Sequence, residues 1–173
     1  LDSTNIIKKP LASVITTISM DHMNILGDSI EEIAYQKAGI IKENCPVFIY
    51  PNDSVAMGVF SKKVEDTNSS SFTFSKDEIE IKQADDKANI FDFRNYKDVK
   101  LKLLGKHQIY NACLALLILD YFKKDFNIDE KIIKDALENT ENIGRLTTIS
   151  SNPRVIVDGS HNKEAIDALI DTL

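Results

Sequence analysis

Cysteine is scarce in this 173-residue chain, which holds two, Cys45 and Cys113, far apart and without a CxxC pair. This spacing argues against a zinc knuckle and a disulfide framework, and it favours a reducing, cytoplasmic location. Long apolar runs are missing as well, because the longest, Ala112 to Leu119, falls well short of the ~20 residues that a membrane-spanning helix needs. The opening residues also lack the basic start and apolar stretch of a secretory signal. We therefore expect no membrane partner.

Positive charge is in deficit, since 21 Lys and Arg face 27 Asp and Glu for a net charge of −6. An acidic chain without a broad basic face does not displace nucleic-acid counterions, so we expect no nucleic-acid partner. The same acidity disfavours long-range attraction of an anionic substrate, which local groups would have to hold instead. Arginine is the better bidentate anion binder, and the chain contains only Arg94, Arg145 and Arg154.

Glycine-rich phosphate loops are absent from the 173 residues. Neither GxGxxG nor GxxxxGKS/T occurs, because Gly105-Lys106 is followed by a histidine and lacks the upstream glycine. A dinucleotide-binding fold is therefore not supported, and these residues contain no motif that cradles a triphosphate.

Hydrophobic periodicity predicts a mixed α/β fold class with a polar, turn-rich linker at Asn139–Gly144. Ser29 with Glu32 forms a capping-box pattern, and Val55 is expected to face inward from the second helix. From 68 to 104, apolar residues beginning with Phe72 and Phe74 alternate with polar ones, which predicts an antiparallel meander. The predicted elements are strand Ala12–Ser19, helix Ser29–Gly39, strand Pro46–Tyr50, helix Ser54–Asp66, the meander, helices His107–Lys124 and Asp129–Asn139, strands Leu146–Ser150 and Arg154–Val157, and a helix Lys163–Leu173.

The first candidate site combines His22 with Lys37. His22 follows a predicted buried strand, at the sheet edge where α/β proteins bind ligands, and a neutral imidazole there can ligate a metal. Lys37 shares the helical face of Ile33 and Ala34, so it is expected to point toward the core. A neutral amine in that position can take up carbon dioxide and become a carbamate able to bind magnesium. The plainer alternatives are a loop histidine bonded to backbone and a lysine whose head escapes to solvent.

Two further motifs carry candidate nucleotide contacts. His107 and Asn111 share one face at the start of a helix, where an amide can hold a purine edge, although a polar first turn is the plainer reading. Asp158 ends a strand and precedes a turn with His161, a geometry that suits an acid on a ribose hydroxyl. An aspartate that merely caps the turn is an equal alternative.

Taken together, six segments resemble the folylpolyglutamate synthase/dihydrofolate synthase family of Mur-type ATP-dependent amide ligases, in family order. The step of fifteen residues from His22 to Lys37 is especially characteristic. The matching segments are LDSTN (1–5), SMDHMNILG (19–27), IAYQKAGII (33–41), LGKHQIYNA (104–112), Gly144-Arg145 and VDGSHN (157–162).

The resemblance implies a role for each site residue. His22 and a carbamylated Lys37 would bind Mg²⁺, and Arg145 would reach the phosphates of ATP. Asn111 would lie near the adenine, with His107 in the same motif. Asp158 would contact the ribose and the linker, and His161 would lie in the turn that follows Asp158. The implied reaction joins L-glutamate to folate or dihydropteroate through an acyl phosphate.

The resemblance also implies the domain organisation. Residues 1–142 would be the distal part of a P-loop-type central ATP-binding domain with its meander, and residues 143–173 the linker and start of a second, Rossmann-like domain. Because the family's phosphate loop and a magnesium-binding glutamate lie upstream of the first matching segment, we expect an internal fragment that is inactive alone. The chain ends also suggest a fragment. Two alternatives stay open: a sister ligase acting on a cell-wall precursor, and a non-catalytic remnant or interaction module.

Overall fold

The computed structural model describes the chain apart from residues 1–2, 21–26 and 86. It divides into two compact units, Leu1–Phe74 and Ser75–Leu173, each of which mixes helices with strands. The mixed α/β class is therefore confirmed. The boundary between the units differs from the predicted break near residue 143, which stays a prediction about the domains of a larger ligase. None of the described helices is long and apolar enough to cross a bilayer.

The elements of the first unit are β1 Ser13–Ile15, α1 Ile30–Ala38, β2 Val47–Ile49, α2 Ser54–Asp66 and β3 Ser71–Phe72. Its strands form a small parallel sheet in the order β1–β2–β3. A short 3₁₀ turn, Ser3–Ile6, precedes it, and two helices connect its strands. Every residue of β2 is buried, as is typical of a parallel strand covered on both faces. The core of this unit gathers Ile15, Ala34, Ala38, Ile41, Val47, Ile49, Ala56 and Phe60.

The assignment of Phe72 and Phe74 to the meander is wrong. Phe72 lies in β3, which pairs in parallel with β2, and its ring stacks on that of Phe48 at 5.1 Å. Phe74 is buried against Tyr50, 6.1 Å away in an edge-on arrangement. A two-residue strand is too short for its alternation of side chains to show which sheet it joins. The stacking of Phe72 on Phe48 favours its pairing with β2.

Two predictions about the helices of this unit need correction, one on the capping box of α1 and one on the direction of Val55. Ser29 Oγ accepts from Glu32 N at 3.2 Å as predicted, but the Glu32 carboxylate accepts from Asp28 N at 2.8 Å, so the capping box is half formed. Asp53 caps α2 by accepting from the first amides of that helix. Val55 is 51% exposed, contrary to expectation, because the buried stripe of α2 runs through Ala56 and Phe60.

The elements of the second unit are β4 Ile79–Ala84, β5 Asn89–Phe93, β6 Tyr96–Leu101, α3 Lys106–Phe122, α4 Glu130–Asn139, β7 Thr147–Ser151, β8 Arg154–Val157 and α5 Lys163–Ile170, with a 3₁₀ turn at Lys76–Glu78. This unit contains the predicted antiparallel meander, in the order β4–β5–β6. Its core is rich in aromatic and branched residues, among them Phe91, Phe93 and Val99, which are almost wholly buried. A separate hairpin, β7–β8, forms its own two-stranded sheet rather than joining the parallel sheet of the first unit.

Candidate functional site

The predicted metal site belongs to the first unit, and the structure describes one of its two residues. His22 lies outside the described residues. Lys37 lies in the last turn of α1, and its side chain is exposed, so the expectation that it faces the core is wrong. Helical spacing sets the direction of the Cα–Cβ bond but not the position of the ammonium at the end of a four-carbon side chain. The ammonium of Lys37 reaches water near the negative end of the helix dipole.

Metal-ligand chemistry at Lys37 depends on modification of its amine. An ammonium has only donors and cannot ligate a cation, whereas a carbamate offers the anionic oxygens that Mg²⁺ prefers. Exposure leaves the amine accessible to carbon dioxide, as the modification requires. No cluster of three or more His, Cys, Asp or Glu suited to a metal occurs among the described residues.

Three predicted nucleotide residues come together in the second unit. His107 is half-buried at the start of α3, and this burial is the main cause of a lowered pKa for its imidazole. The Asp158 carboxylate raises the pKa of His107 and the Arg145 guanidinium lowers it. All three residues are therefore within electrostatic reach, although they come from a helix start, a linker and a strand end.

Asp158 accepts hydrogen bonds from two places in the chain, the residue after Arg145 and the turn that follows β8. Its Oδ2 accepts from Leu146 N at 2.8 Å, and its Oδ1 accepts from Ser160 N at 2.8 Å and from the Ser160 hydroxyl. Partial burial favours the neutral acid, but the Ser160 and Leu146 hydrogen bonds outweigh it, and with the Arg145 charge they lower the pKa of Asp158. Asp158 is therefore an anion that fastens the linker to the turn after β8.

The backbone before Arg145 has a positive φ at Gly144 and is held by the side chain of Thr147. Gly144 has φ +85°, and its carbonyl accepts from Gly159 N at 2.8 Å. Its own amide donates to Thr147 Oγ1 at 2.9 Å. The Arg145 side chain is exposed, so the turn presents a guanidinium to solvent beside Asp158.

Sequence reasoning did not single out Ser160, Thr147 or Leu146 as parts of this site. Leu146 is buried despite φ +48°, a left-handed conformation that a branched residue rarely adopts. A leucine carries no sequence signal of this kind. The serine between Gly159 and His161 could have been found as a side-chain donor to the neighbouring aspartate.

Asn111 and His161, the other two predicted nucleotide contacts, have exposed side chains. Asn111 is exposed on the second turn of α3, where its Nδ2 donates to Gln108 Oε1 at 3.2 Å. His161 is also exposed, and its Nδ1 lies 2.9 Å from Gly159 O. Both side chains can therefore meet a ligand from the solvent side.

We expect Asp158→Asn to destabilise the second unit by about 1–3 kcal/mol, because buried amides lose a charged acceptor. The folded pKa of Asp158 lies below its ordinary value of 3.8, so its stabilisation is present above that value and is lost as the pH falls through the folded pKa. Thermal unfolding of wild type and variant from acid to neutral pH checks both effects. The matched control is Asp167→Asn on α5, whose partner is the exposed Lys163, and it should change stability by less than about 0.5 kcal/mol. Equal effects of the two substitutions would contradict the prediction.

Comparison with known proteins identifies relatives along nearly the whole chain. The Mur ligase middle domain family matches residues 2–119. The dihydrofolate synthase/folylpolyglutamate synthase of Bacillus subtilis is 36% identical over 180 residues, covering 99% of this chain and 41% of the relative. The folylpolyglutamate synthase of Lacticaseibacillus casei is 31% identical, with coverages of 99% and 42%. The chain thus spans less than half the length of these curated relatives.

Solved structures lead to the same group. A folylpolyglutamate synthase in complex with AMPPCP and folate matches with a TM-score of 0.87 at 30% identity, covering 99% of this chain and 43% of that one. The folylpolyglutamate synthase of Thermotoga maritima gives a TM-score of 0.82 at 31% identity, with coverages of 100% and 40%. The motif resemblance is thereby confirmed. The chain belongs to the Mur ligase family, in its folylpolyglutamate synthase/dihydrofolate synthase branch.

Proposed function

We propose that the chain is a segment of an ATP-dependent ligase that joins L-glutamate to folate or dihydropteroate. The observation that carries the proposal is the junction of two family motifs, in which Leu146 N donates to Asp158 Oδ2 and Gly159 N donates to Gly144 O, so that Arg145 and Asp158 belong to one turn. His107, from a third motif, feels the charges of both side chains. The relatives named above support it, since one of them was solved with AMPPCP and folate together. Residues 1–142 would then be the distal part of the central P-loop-type domain, and residues 143–173 the linker and start of a Rossmann-like second domain.

The described residues suit the nucleotide half of this reaction. Arg145 offers an exposed planar guanidinium, which matches phosphate oxygens in a bidentate way. Asp158 uses three acceptor positions within the chain, which leaves about one of four for a ribose hydroxyl. Asn111 would donate to and accept from the adenine edge, and His107 and His161 would line the same side.

The proposed reaction has two steps, the transfer of a phosphoryl group and the attack of an amine. The γ-phosphoryl group of ATP passes to a substrate carboxylate, the amine of glutamate attacks the acyl phosphate, and phosphate leaves with the displaced oxygen. Arg145 would hold the phosphates in line and offset their charge, which is most of what such a transfer requires. Mg²⁺, which His22 and a carbamylated Lys37 would hold, supplies further charge neutralisation when bound. The free thiols of Cys45 and Cys113 are consistent with a cytoplasmic enzyme.

We expect the 173-residue chain alone neither to hydrolyse ATP nor to bind it with micromolar affinity. Its sequence contains no GxxxxGKS/T loop, and the cluster around Arg145 offers a single arginine in place of a backbone cradle. Titration calorimetry with ATP and magnesium checks this. A dissociation constant in the micromolar range would show that the chain carries its own phosphate site.

The ligase activity is tested on a full-length enzyme containing this chain. Purified protein is given ATP, magnesium, radiolabelled glutamate and either dihydropteroate, folate or a muramoyl substrate. Transfer of label to dihydropteroate or folate, dependent on ATP, supports the proposal. Transfer only to the muramoyl substrate would assign the chain to a cell-wall ligase, and no transfer to any acceptor would indicate a non-catalytic module.

A further inference from the structure

Asn89, the first residue of β5, is the most deeply buried of the buried polar side chains, with none of its surface exposed. Its Nδ2 donates to Leu103 O at 2.6 Å and to Gly105 O at 3.3 Å. Its Oδ1 has no hydrogen-bond partner within the part of the chain that the structure describes. A buried amide oxygen without a partner costs free energy, so an apolar residue would serve packing better. We therefore infer that the two hydrogen bonds that Asn89 donates serve a purpose other than packing.

Both carbonyls that Asn89 holds belong to the turn at 103–105, which connects β6 to α3. Gly105 ends this turn at φ +92°, where side-chain-bearing residues are strained. It also stands at the N-cap of α3 and supplies no side-chain cap. The Asn89 amide thus fixes the carbonyl directions of a turn whose backbone conformation is unusual.

The imidazole of His107 rests on this turn. A Cβ placed on Gly105 would lie 2.7 Å from Cε1 and 2.8 Å from Nδ1 of His107, so the ring fills the space that the missing side chain leaves. A rotation of the Gly105 peptide would therefore displace the ring. His107 in turn lies within electrostatic reach of Arg145 and Asp158.

We propose that Asn89 is a positioning residue: by holding the carbonyls of Leu103 and Gly105, it seats the His107 imidazole at the candidate nucleotide site. Asn89 itself is buried and does not meet the ligand. The structural part of this proposal concerns the chain alone. Its kinetic consequence rests on the proposed function.

The structural part is tested by nuclear magnetic resonance on the 173-residue chain. In the wild type we expect a scalar coupling across the hydrogen bond from Asn89 Nδ2 to the Leu103 carbonyl, and a proton contact between His107 Hε1 and Gly105 Hα. Absence of the coupling would overturn the proposal even if no variant folds. Asn89→Ala, and Asn89→Leu, which keeps a similar shape but has no donor, should each lose the His107–Gly105 contact. Survival of that contact in a folded variant would likewise overturn the proposal.

The matched control is Val99→Ala, which removes a fully buried side chain from β6, the strand next to β5. It disturbs the same sheet at the position that pairs with Phe91 rather than with Asn89, so we expect it to keep the His107–Gly105 contact. Loss of the contact in Val99→Ala as well would show that any loosening of the meander moves His107, and the specific role of Asn89 would be withdrawn.

The kinetic consequence is measured in a full-length ligase containing the chain. Asn89→Ala should raise KM for ATP about tenfold and change kcat less than about threefold, since it loosens a binding contact rather than a reacting group. Val99→Ala should leave both within about twofold. An unchanged KM in Asn89→Ala would overturn the role at the nucleotide. If the wild-type enzyme does not use ATP at all, the proposed function fails, while the spectroscopic experiment still decides the positioning.

Discussion

Substitution of Lys37 by alanine is expected to lower the ligation rate of a full-length enzyme by about a thousandfold or more, because the carbamate that would hold Mg²⁺ cannot form. The modification adds carbon dioxide to the neutral amine and releases a proton, which turns a cation into an anionic oxygen ligand. Lys37→Arg should fail equally, since a guanidinium keeps its charge and does not form the carbamate. Initial rates of glutamate transfer at saturating substrates check the prediction.

Because Lys37 is exposed, its substitution should test activity without a large change in stability. An exposed side chain contributes little to stability, so both variants should unfold within about 0.5 kcal/mol of wild type. Added acetate should restore part of the activity of Lys37→Ala by offering a carboxylate to the vacated site. The matched control is Lys62→Ala, an exposed lysine of α2, which should retain full activity. Near-full activity in Lys37→Arg would reduce Lys37 to a structural cation and remove it from the metal site.

Arg145→Ala is expected to cost about a hundredfold or more in kcat/KM for ATP, because the linker loses its phosphate contact. Arg145→Lys should recover only part of this loss, since an ammonium lacks the planar fork that pairs with two phosphate oxygens. Steady-state kinetics with varied ATP measure both effects. The pKa of His107 provides an independent readout, because removal of the guanidinium should let it rise.

The control for Arg145 is Arg154→Ala, which removes another exposed arginine of the second unit, on β8. It removes one positive charge, as Arg145→Ala does, so any general electrostatic effect on nucleotide attraction is matched. We expect it to stay within about twofold of wild type. Equal losses in the two variants would mean that charge, and not the position of Arg145, explains the effect.

The elements with strong local signals were predictable. Ser54–Asp66 and Arg154–Val157 have the predicted bounds, because an aspartate cap and a short β-branched run mark them. The strand predicted at Ala12–Ser19 shortens to Ser13–Ile15, since Asn52 binds Thr16 O and Ile18 N and leads the chain out of the sheet. That long-range contact leaves no trace in the local sequence pattern.

The candidate site was predictable where chemistry and motif coincide. Asp158 and Arg145 could be chosen because an acid after a strand and an arginine in a linker suit a nucleotide. Lys37 could not be placed correctly, because helix periodicity does not fix the end of a long side chain. Asn89 was missed, since its function depends on a turn that is distant in the sequence.

The central claim is that this chain serves a ligase that activates a carboxylate with ATP and then joins it to glutamate. The most direct measurement supplies a full-length enzyme containing the chain with dihydropteroate or folate whose carboxylate carries heavy oxygen. If an acyl phosphate forms, one labelled oxygen leaves with the phosphate when the amine of glutamate attacks, so mass spectrometry should find label in inorganic phosphate. Labelled AMP beside unlabelled pyrophosphate, or ATP hydrolysis without any transfer of label, would contradict the account.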